Sequence, residues 1–404
     1  TAPPCAAATR RPPSVRTTRR DPEETPVTNP LQPVLRSTLP ILAMVLLTIP
    51  CLSAAAETIR IPADQPTIAA GIGAADPGDT LLIACGTYYE HDLTVTEGIT
   101  LASETGDDSC VTIDGGGAHQ IMRIQRADGA IIRGITFTNG SAFVGGAARI
   151  DTTDVEFESC TFSDNRSSYL GGALYMMSSP GKSHSFTECT FSGNVSDISA
   201  GAVWAEDGST VFDGCTFTGN DAESNGGAIG TYEDSELVLT DCDLTGNGSL
   251  GTSWGGAIFI DWNNTVTLSG CTFTGNTVEN AGACLYIADG STVDIDDCDF
   301  IDNTTPGTTA GVVGDNVAHL SITDCSFTGN EGNAAGLILI DDCPDASFER
   351  NTVIGNTSAG GGALKIDDSP MTVSDCLFAD NAGGWGGVIE ISDSDPTTIE
   401  GCTF

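Results

Sequence analysis

The side chains of this sequence that could do chemistry return at a nearly constant interval. Nine of its 15 cysteines stand at Cys160, Cys189, Cys215, Cys242, Cys271, Cys298, Cys325, Cys376 and Cys402, at steps of 26 to 29 residues with one double step of 51. One thiol per period is the wrong spacing for a thiolate metal site, whose ligands cluster on short loops. Stacked side chains that point the same way are also poorly aimed for disulfides. This series therefore reads as free thiols acting as small buried hydrophobes. Cys85 and Cys110 lie outside it, 25 residues apart, and are the candidate disulfide. Acids recur too, as Glu206-Asp207, Glu233-Asp234, Asp261, Asp289, Asp341-Asp342, Asp367-Asp368 and Asp393. Like charges stacked one above another repel unless they are screened or bridged. Calcium takes several carboxylate oxygens, so Asp341, Asp342, Asp367 and Asp368 are candidate Ca²⁺ ligands. The glycine-rich calcium nonapeptide is absent, so no specific calcium site is marked; no cofactor is expected to be required, Ca²⁺ is a possible ligand, and a solvated acidic face is the alternative. A third set, Tyr175, Trp204, Phe259 and Tyr286, stands on the outward side of the same segments and could stack on sugar rings. Alternatively, longer corners such as Gly248–Trp254 fold over these rings and bury them. His91, His119, His184 and His319 show neither nucleophile nor metal spacing, and no catalytic residue is assigned.

These side chains need a repeating scaffold. A C-x-F-x-x-N element carries the cysteines, as in Cys160, Phe162 and Asn165, then Cys189, Phe191 and Asn194, then Cys215, Phe217 and Asn220. It continues through Asn276 and Asn330, with Asn351 in the cysteine position of one copy. A second element, Gly-Gly-Ala followed by an aliphatic residue, keeps the same step at Gly171, Gly226, Gly255 and Gly361, with a Gly-Gly-Val copy at Gly386. A third apolar column stands three residues before each cysteine position, from Phe157 through Phe186, Phe212 and Leu239 to Ile399. Each period thus holds three short alternating segments divided by Gly, Asn and Asp corners, which is the pattern of strands rather than helix. Identical residues returning every period demand parallel stacking, and parallel crossovers are right-handed. The sequence predicts an all-β, right-handed parallel β-helix of about 26 residues and three strands per coil. Phe162, Phe191 and Phe217 should stack inward, and Asn165, Asn194, Asn220, Asn276 and Asn330 should form an amide ladder at one corner. Residues 64–76 read as a short capping helix with Asp64 as N-cap, Pro66 in its first turn, and Ile68, Ile72 and Ala75 on one face.

Composition sets the compartment. The formal net charge is −40, with 15 Lys+Arg against 55 Asp+Glu. That argues against a nucleic-acid partner and against adsorption to anionic lipid. Six of the basic residues and three of the acids fall in residues 1–56, so the remainder is more acidic still, at −43. Leu39 to Leu52 is apolar but short and Pro-interrupted, Arg36 precedes it, and Ser53 to Ala56 supply the small residues of a cleavage site. Residues 34–56 are thus expected to be a secretory signal peptide that leaves no membrane-inserted segment in the mature part. Residues 1–33 are expected to be a non-native or disordered upstream stretch. Residues 57–80 are expected to form the cap, and 81–404 to be repeats broken off within a copy.

The GGA-[ILV] and F-x-x-N elements over 145–404 resemble the repeats of the polymorphic outer-membrane protein family, within the pectin-lyase-like β-helix superfamily. The block Ile61 to Ile68, together with Gly86, Thr87 and Tyr88, resembles the N-terminal end of secreted pectin-lyase-like proteins. The resemblance implies an exported protein, at the cell surface or outer membrane or secreted, with an adhesive role toward a glycan or protein ligand. Enzymes of the superfamily cleave acidic polysaccharides as lyases or hydrolases. A lyase wants a basic residue beside its metal, but Arg149, Arg166, Lys182, Arg350 and Lys365 are scattered over different coils. Hydrolysis wants carboxylates at set separations, whereas Asp296-Asp297 and the other pairs recur as corner residues. A non-enzymatic β-helical adhesin or stalk is therefore expected, with a polysaccharide-active enzyme and a purely structural envelope protein as the alternatives. The oligomeric state is open.

Overall fold

A computed structural model describes residues 55–404 apart from 252, 334–335 and 385–386. The expected upstream stretch 1–33 and signal peptide, up to residue 54, lie outside the described residues. The rest is a right-handed parallel β-solenoid. One face is a 14-stranded sheet running from Thr58–Ile61 to Thr398–Glu400. A 12-stranded sheet from Leu93–Val95 to Ile389–Ser392 carries the strands that follow the Gly-Gly corners. Another 12-stranded sheet, from Gly86–Tyr88 to Leu377–Ala379, carries the cysteine-position strands. A fourth face exceeds the three strands expected. It is built of very short strands such as Val195–Ser196 and Asp221–Ala222, grouped in sheets of six and three.

Register explains the repeat. Phe162 pairs with Phe191, and Phe191 with Phe217, so equal residues sit directly over one another. Their rings stack at 4.9 and 4.7 Å between centroids. A second column, Phe157, Phe186 and Phe212, stacks at 5.0 and 4.8 Å and meets the first edge to face. Offset and edge contacts are the arrangements that aromatic quadrupoles favour. The apolar column runs on to Ile399, which is 41% exposed, whereas its counterparts upstream are buried.

Two polar ladders close the corners. Each asparagine amide from Asn165 to Asn356 donates to the Oδ1 of the asparagine in the next coil at 2.8–3.1 Å. That same Oδ1 accepts from the backbone N–H of the earlier asparagine, as from Asn194 at 3.1 Å. The second amide hydrogen goes to the carbonyl of the inward phenylalanine a coil earlier, as from Asn220 to Phe191 at 3.0 Å. The cysteines repeat this bonding with sulfur. Cys189, Cys215, Cys242 and Cys271 donate to carbonyls of the preceding coil at 3.3–3.6 Å. Asn351 substitutes cleanly in that series, donating to the Ile322 carbonyl at 2.8 Å. Buried backbone groups need partners, and these ladders supply them at bends where the sheets cannot.

The Gly-Gly corner has two separate causes. Gly226 adopts φ +69°, a left-handed conformation that glycine takes without strain. Gly227 has an ordinary φ but no space, because a Cβ there would lie 2.1 Å from the Gly256 carbonyl oxygen.

The N-terminal helix is shorter than expected. It spans Ile68–Ala74, and its N-cap is Thr67, which accepts from the Ala70 N–H at 3.1 Å. Asp64 instead folds back on the first strand and accepts from the Arg60 N–H at 2.8 Å, so the residues from Asp64 to Thr67 form a turn. The free N–H groups of Ile68 and Ala69 are taken by the Glu90 carboxylate, both at 2.9 Å. An anion is favoured at that end of a helix. Among the described residues no helix is long and apolar enough to cross a membrane.

Candidate functional site

The sheet that follows the Gly-Gly corners carries the acids and aromatics on its outer side. Its register stacks Arg149, Tyr175, Trp204, Gly230, Phe259 and Tyr286 in one column. Two positions further along, Asp151, Met177, Glu206, Tyr232 and Asp261 form a second. The four expected sugar-stacking residues do not stand free. Tyr175, Trp204 and Phe259 are 9%, 7% and 6% exposed, and Tyr286 is half-buried. Two features bury them. Gly230 lets the Trp204 indole lie across it, since a Cβ there would sit 2.6 Å from Trp204 Cε3. The corner before Gly255 folds over as well, placing the Trp254 ring 5.6 Å from that of Tyr286.

Burial leaves polar tips that find carboxylates. Tyr175 Oη donates to Glu206 Oε2 at 3.1 Å and Trp204 Nε1 to Glu206 Oε1 at 2.7 Å. Tyr286 Oη donates to Asp315 at 2.9 Å. Burial first, and then the Glu206 charge, push the Tyr175 hydroxyl up to about 12. At the upstream end Arg149 sits 5.6 Å over the Tyr175 ring and pairs with Asp151 at 2.7 Å, and Arg123 pairs with the same aspartate at 2.6 Å.

A different set of aromatics is accessible. Tyr169, Leu170, Ile198, Asn225, Tyr232 and Phe259 surround a cleft of about 410 Å³, with Trp204 in its wall. Glu206 and Asp261 line it too. Tyr169 stacks on the exposed Phe143 at 5.1 Å, and Tyr232 sits 6.4 Å from Trp204 and 6.0 Å from the exposed Trp262. Sequence reading missed Phe143 and Tyr169 because they lie in the arm beyond the asparagine corner, although their one-period separation was a visible signal. Asp261 is unusual among these acids. Burial, then the neighbouring Asp289 charge, raise its carboxyl to about 6, and its buried Oδ1 has no hydrogen-bond partner.

The acids proposed for calcium are not gathered into a cage. Asp341 and Asp367 are in register on adjacent strands, and burial followed by the Asp367 charge raises the Asp341 carboxyl. Asp342 and Asp368 occupy left-handed corner positions at φ 51° and 42°. Lys365 pairs with Asp367 at 3.2 Å, placing a cation where a metal would need an acceptor. Among the described residues these aspartates do not group three ligand atoms at metal-site distances. Cys85 and Cys110 are bonded, with S–S 2.07 Å and Cα atoms 4.6 Å apart. The ladder cysteines from Cys160 to Cys376 are free and buried, and burial pushes the Cys376 thiol up to about 11.

A family model described as a right-handed β-helix region matches residues 180–353 and 309–404, more than half of the sequence. The chain belongs to the right-handed β-helix family. Within this β-helix protein, residues 159–176 also match the repeat of the Chlamydia polymorphic membrane protein. That stretch includes the first full C-x-F-x-x-N and Gly-Gly-Ala pair. No curated protein matches the chain. Among solved structures it is similar to the A-module of the Azotobacter vinelandii mannuronan C-5 epimerase AlgE6, at 12% identity and TM-score 0.48, over 81% of this chain and 90% of that one. It is also similar to the polygalacturonase of Erwinia carotovora, at 12% identity and TM-score 0.41, over 85% and 96% of the two chains. A mannuronic acid specific polysaccharide lyase of family 6 from the human gut microbiota aligns at 12% identity and TM-score 0.42, over 83% and 82%.

Proposed function

We propose that this protein is an exported, non-enzymatic surface rod that binds glycans along its flank. The observation that carries the reading is the cleft beside Trp204, where Tyr169 and Tyr232 offer aromatic faces and Glu206, Asn225 and Asp261 offer hydrogen-bonding groups. Concave sites with apolar walls and a few placed polar groups are where small rigid ligands bind. Sugar rings present both C–H faces and hydroxyls, so they match both kinds of group. The strong negative charge favours neutral or cationic glycans over polyanionic ones. Binding of the full chain to a glycan array, followed by titration of the best ligand, tests this. Tyr169→Ala and Tyr232→Ala should each weaken binding about tenfold; the exposed Tyr169 should do so without moving the melting temperature, whereas the half-buried Tyr232, packed against Trp204, should also lower it. Unchanged binding in both variants refutes the cleft, and cleavage of the bound glycan refutes the non-enzymatic part.

A second reading, glycoside hydrolysis, is favoured by one observation. Asp261, with its carboxyl raised to about 6, shares the cleft with Glu206. The two are separated by Tyr232 in register, so their backbones lie roughly 9–10 Å apart at the spacing of parallel strands. An inverting hydrolase holds its carboxyl groups about 6.5–9.5 Å apart, which these two reach if their side chains lean toward each other across Tyr232. Release of reducing ends from a polysaccharide panel, lost in Asp261→Asn and in Glu206→Gln, would establish it. Absence of release in the unaltered protein removes it.

A further inference from the structure

We propose that His91, His119 and Asp92 form a surface site for one divalent transition-metal ion of the zinc class. The three residues come from two successive coils, His91 and Asp92 from one and His119 from the next. Leu93 pairs with Met122 in the sheet, which brings the corner before the first of these strands beside the corner before the second. The His91 and His119 rings lie parallel within 9°, centroids 3.8 Å apart. Asp92 Oδ2 lies 2.8 Å from His91 Nδ1 and 3.8 Å from His119 Nδ1. One ligand atom from each residue falls within 4.8 Å of the other two.

These distances suit a metal. Zinc bonds to imidazole nitrogen and carboxylate oxygen are 2.0–2.2 Å, so neighbouring ligand atoms in a tetrahedral centre lie about 3.4 Å apart. The Asp92 oxygen lies 2.8 and 3.8 Å from the two imidazole nitrogens, on either side of that value. The side chains are about half exposed, at 44%, 50% and 68% for His91, His119 and Asp92, so the rings can turn from their stack to converge on an ion. Their backbones are held by the coil ladder. Asp92 N–H donates to the Gln120 carbonyl and Ser141 N–H to that of His119, both at 2.8 Å. The fixed backbone places the three side chains together, and only their rotamers must change on binding. Two imidazoles with one carboxylate select a borderline ion over calcium, which prefers six or more oxygens. Solvent exposure leaves the remaining coordination positions to water or to an outside ligand. Sequence spacing hid the site, because the two histidines are 28 residues apart and meet only through the solenoid register.

The test titrates the full chain, freed of metal by a chelator, with Co²⁺ in excess Ca²⁺, which occupies the surface carboxylates. One equivalent should bind with the absorption of nitrogen and oxygen ligation, and Zn²⁺ should displace it. His91→Ala and His119→Ala should each weaken binding at least tenfold. His91→Asn and His119→Asn, which keep a polar exposed side chain, serve where an alanine variant fails to fold. A thiolate-type spectrum, no binding, or undiminished binding in the His91 and His119 variants overturns the proposal.

Discussion

Replacing Asn220 by alanine tests how the solenoid is held together. Asn220 is fully buried, and its amide makes four hydrogen bonds. Its Nδ2 donates to the Phe191 carbonyl and to Asn247 Oδ1, both at 3.0 Å. Its Oδ1 accepts from Asn194 N at 3.1 Å and Asn194 Nδ2 at 2.9 Å. Alanine orphans the buried backbone N–H of Asn194, at about 1–3 kcal/mol, and strips a second donor from the Phe191 carbonyl, which keeps its ladder bond to the next strand, at about 0.5–1.5 kcal/mol. The expected loss is therefore about 1.5–4.5 kcal/mol, with about 3 as the central value. Asn316→Gly is the control, since that exposed side chain makes a single bond, to Asp289 at 3.1 Å, and glycine takes its left-handed φ of 55° without strain. It should cost under about 0.5 kcal/mol. Solenoid coils contact mainly their neighbours, so the loss should be local. Hydrogen exchange by mass spectrometry should show deprotection spreading from the Asn194 to Asn247 corners, with the coils near Ile113 and Ile366 unaffected. Asn220→Asp adds a sharper criterion. It keeps the acceptor but turns an anionic oxygen toward the Phe191 carbonyl and Asn247 Oδ1, so at neutral pH it should be worse than alanine. A cost below about 1 kcal/mol, or Asp tolerated better than Ala, would refute the ladder as a stabilising element.

Other outcomes follow from the same geometry. Gly227→Ala should destabilise the corner by several kcal/mol and lower the melting temperature, because its Cβ would meet the Gly256 carbonyl. Native alkylation with mass mapping should find Cys402, the half-buried one, reactive among the described free thiols and Cys160 to Cys376 protected. Burial pushes the His184 imidazole down to about 4, so the folded state holds fewer protons than the unfolded one between about pH 4 and 6.5. Stability should then fall by up to about 3 kcal/mol as pH drops through that window, a slope absent from His184→Phe in pH-dependent unfolding. Asp261 carries the opposite sign. Its carboxyl is raised to about 6, so its contribution is lost as pH rises from about 4 to 6, and Asp261→Asn should remove roughly 1–2 kcal/mol of that slope after discounting for solvent. Calcium or salt should raise the melting temperature if the stacked acids dominate, and no change would mark them as a solvated face.

What the sequence made legible was the inside of the rod. A parallel stack places residue on residue at one coil's rise, so an inward position can be filled only by something that packs on a copy of itself. Phe162, Phe191 and Phe217, or Asn194 and Asn220, therefore repeat visibly. Asn351 escaped as an oddity in the cysteine column, yet it bonds the Ile322 carbonyl as the thiols bond theirs, which shows that the position selects a donor rather than sulfur. The fourth face stayed hidden because strands of two residues, such as Asp221–Ala222, have no alternation to read. The helix start was misplaced because Asp64 is a good cap in isolation, while Thr67 and the distant Glu90 supply the bonds in the fold.

Outward positions obey no such self-complementarity, and their chemistry arises between unlike neighbours. Trp204 lies flat because the next residue in its column is Gly230, and its indole N–H is satisfied by Glu206 two residues on. An outward aromatic row read from spacing alone takes the rings as a platform, whereas the register makes most of them a wall and leaves Tyr169 and Tyr232 as the accessible faces. His91 and His119 make the same point from the other direction, since side chains with no relation in sequence are brought to 3.8 Å by a one-coil offset. In a solenoid the repeat specifies which residues can stack, and the departures from it, once aligned coil by coil, specify where a ligand can be held. A candidate site in such a protein is therefore best sought by tabulating the outward columns in register and looking for adjacent residues whose chemistries combine.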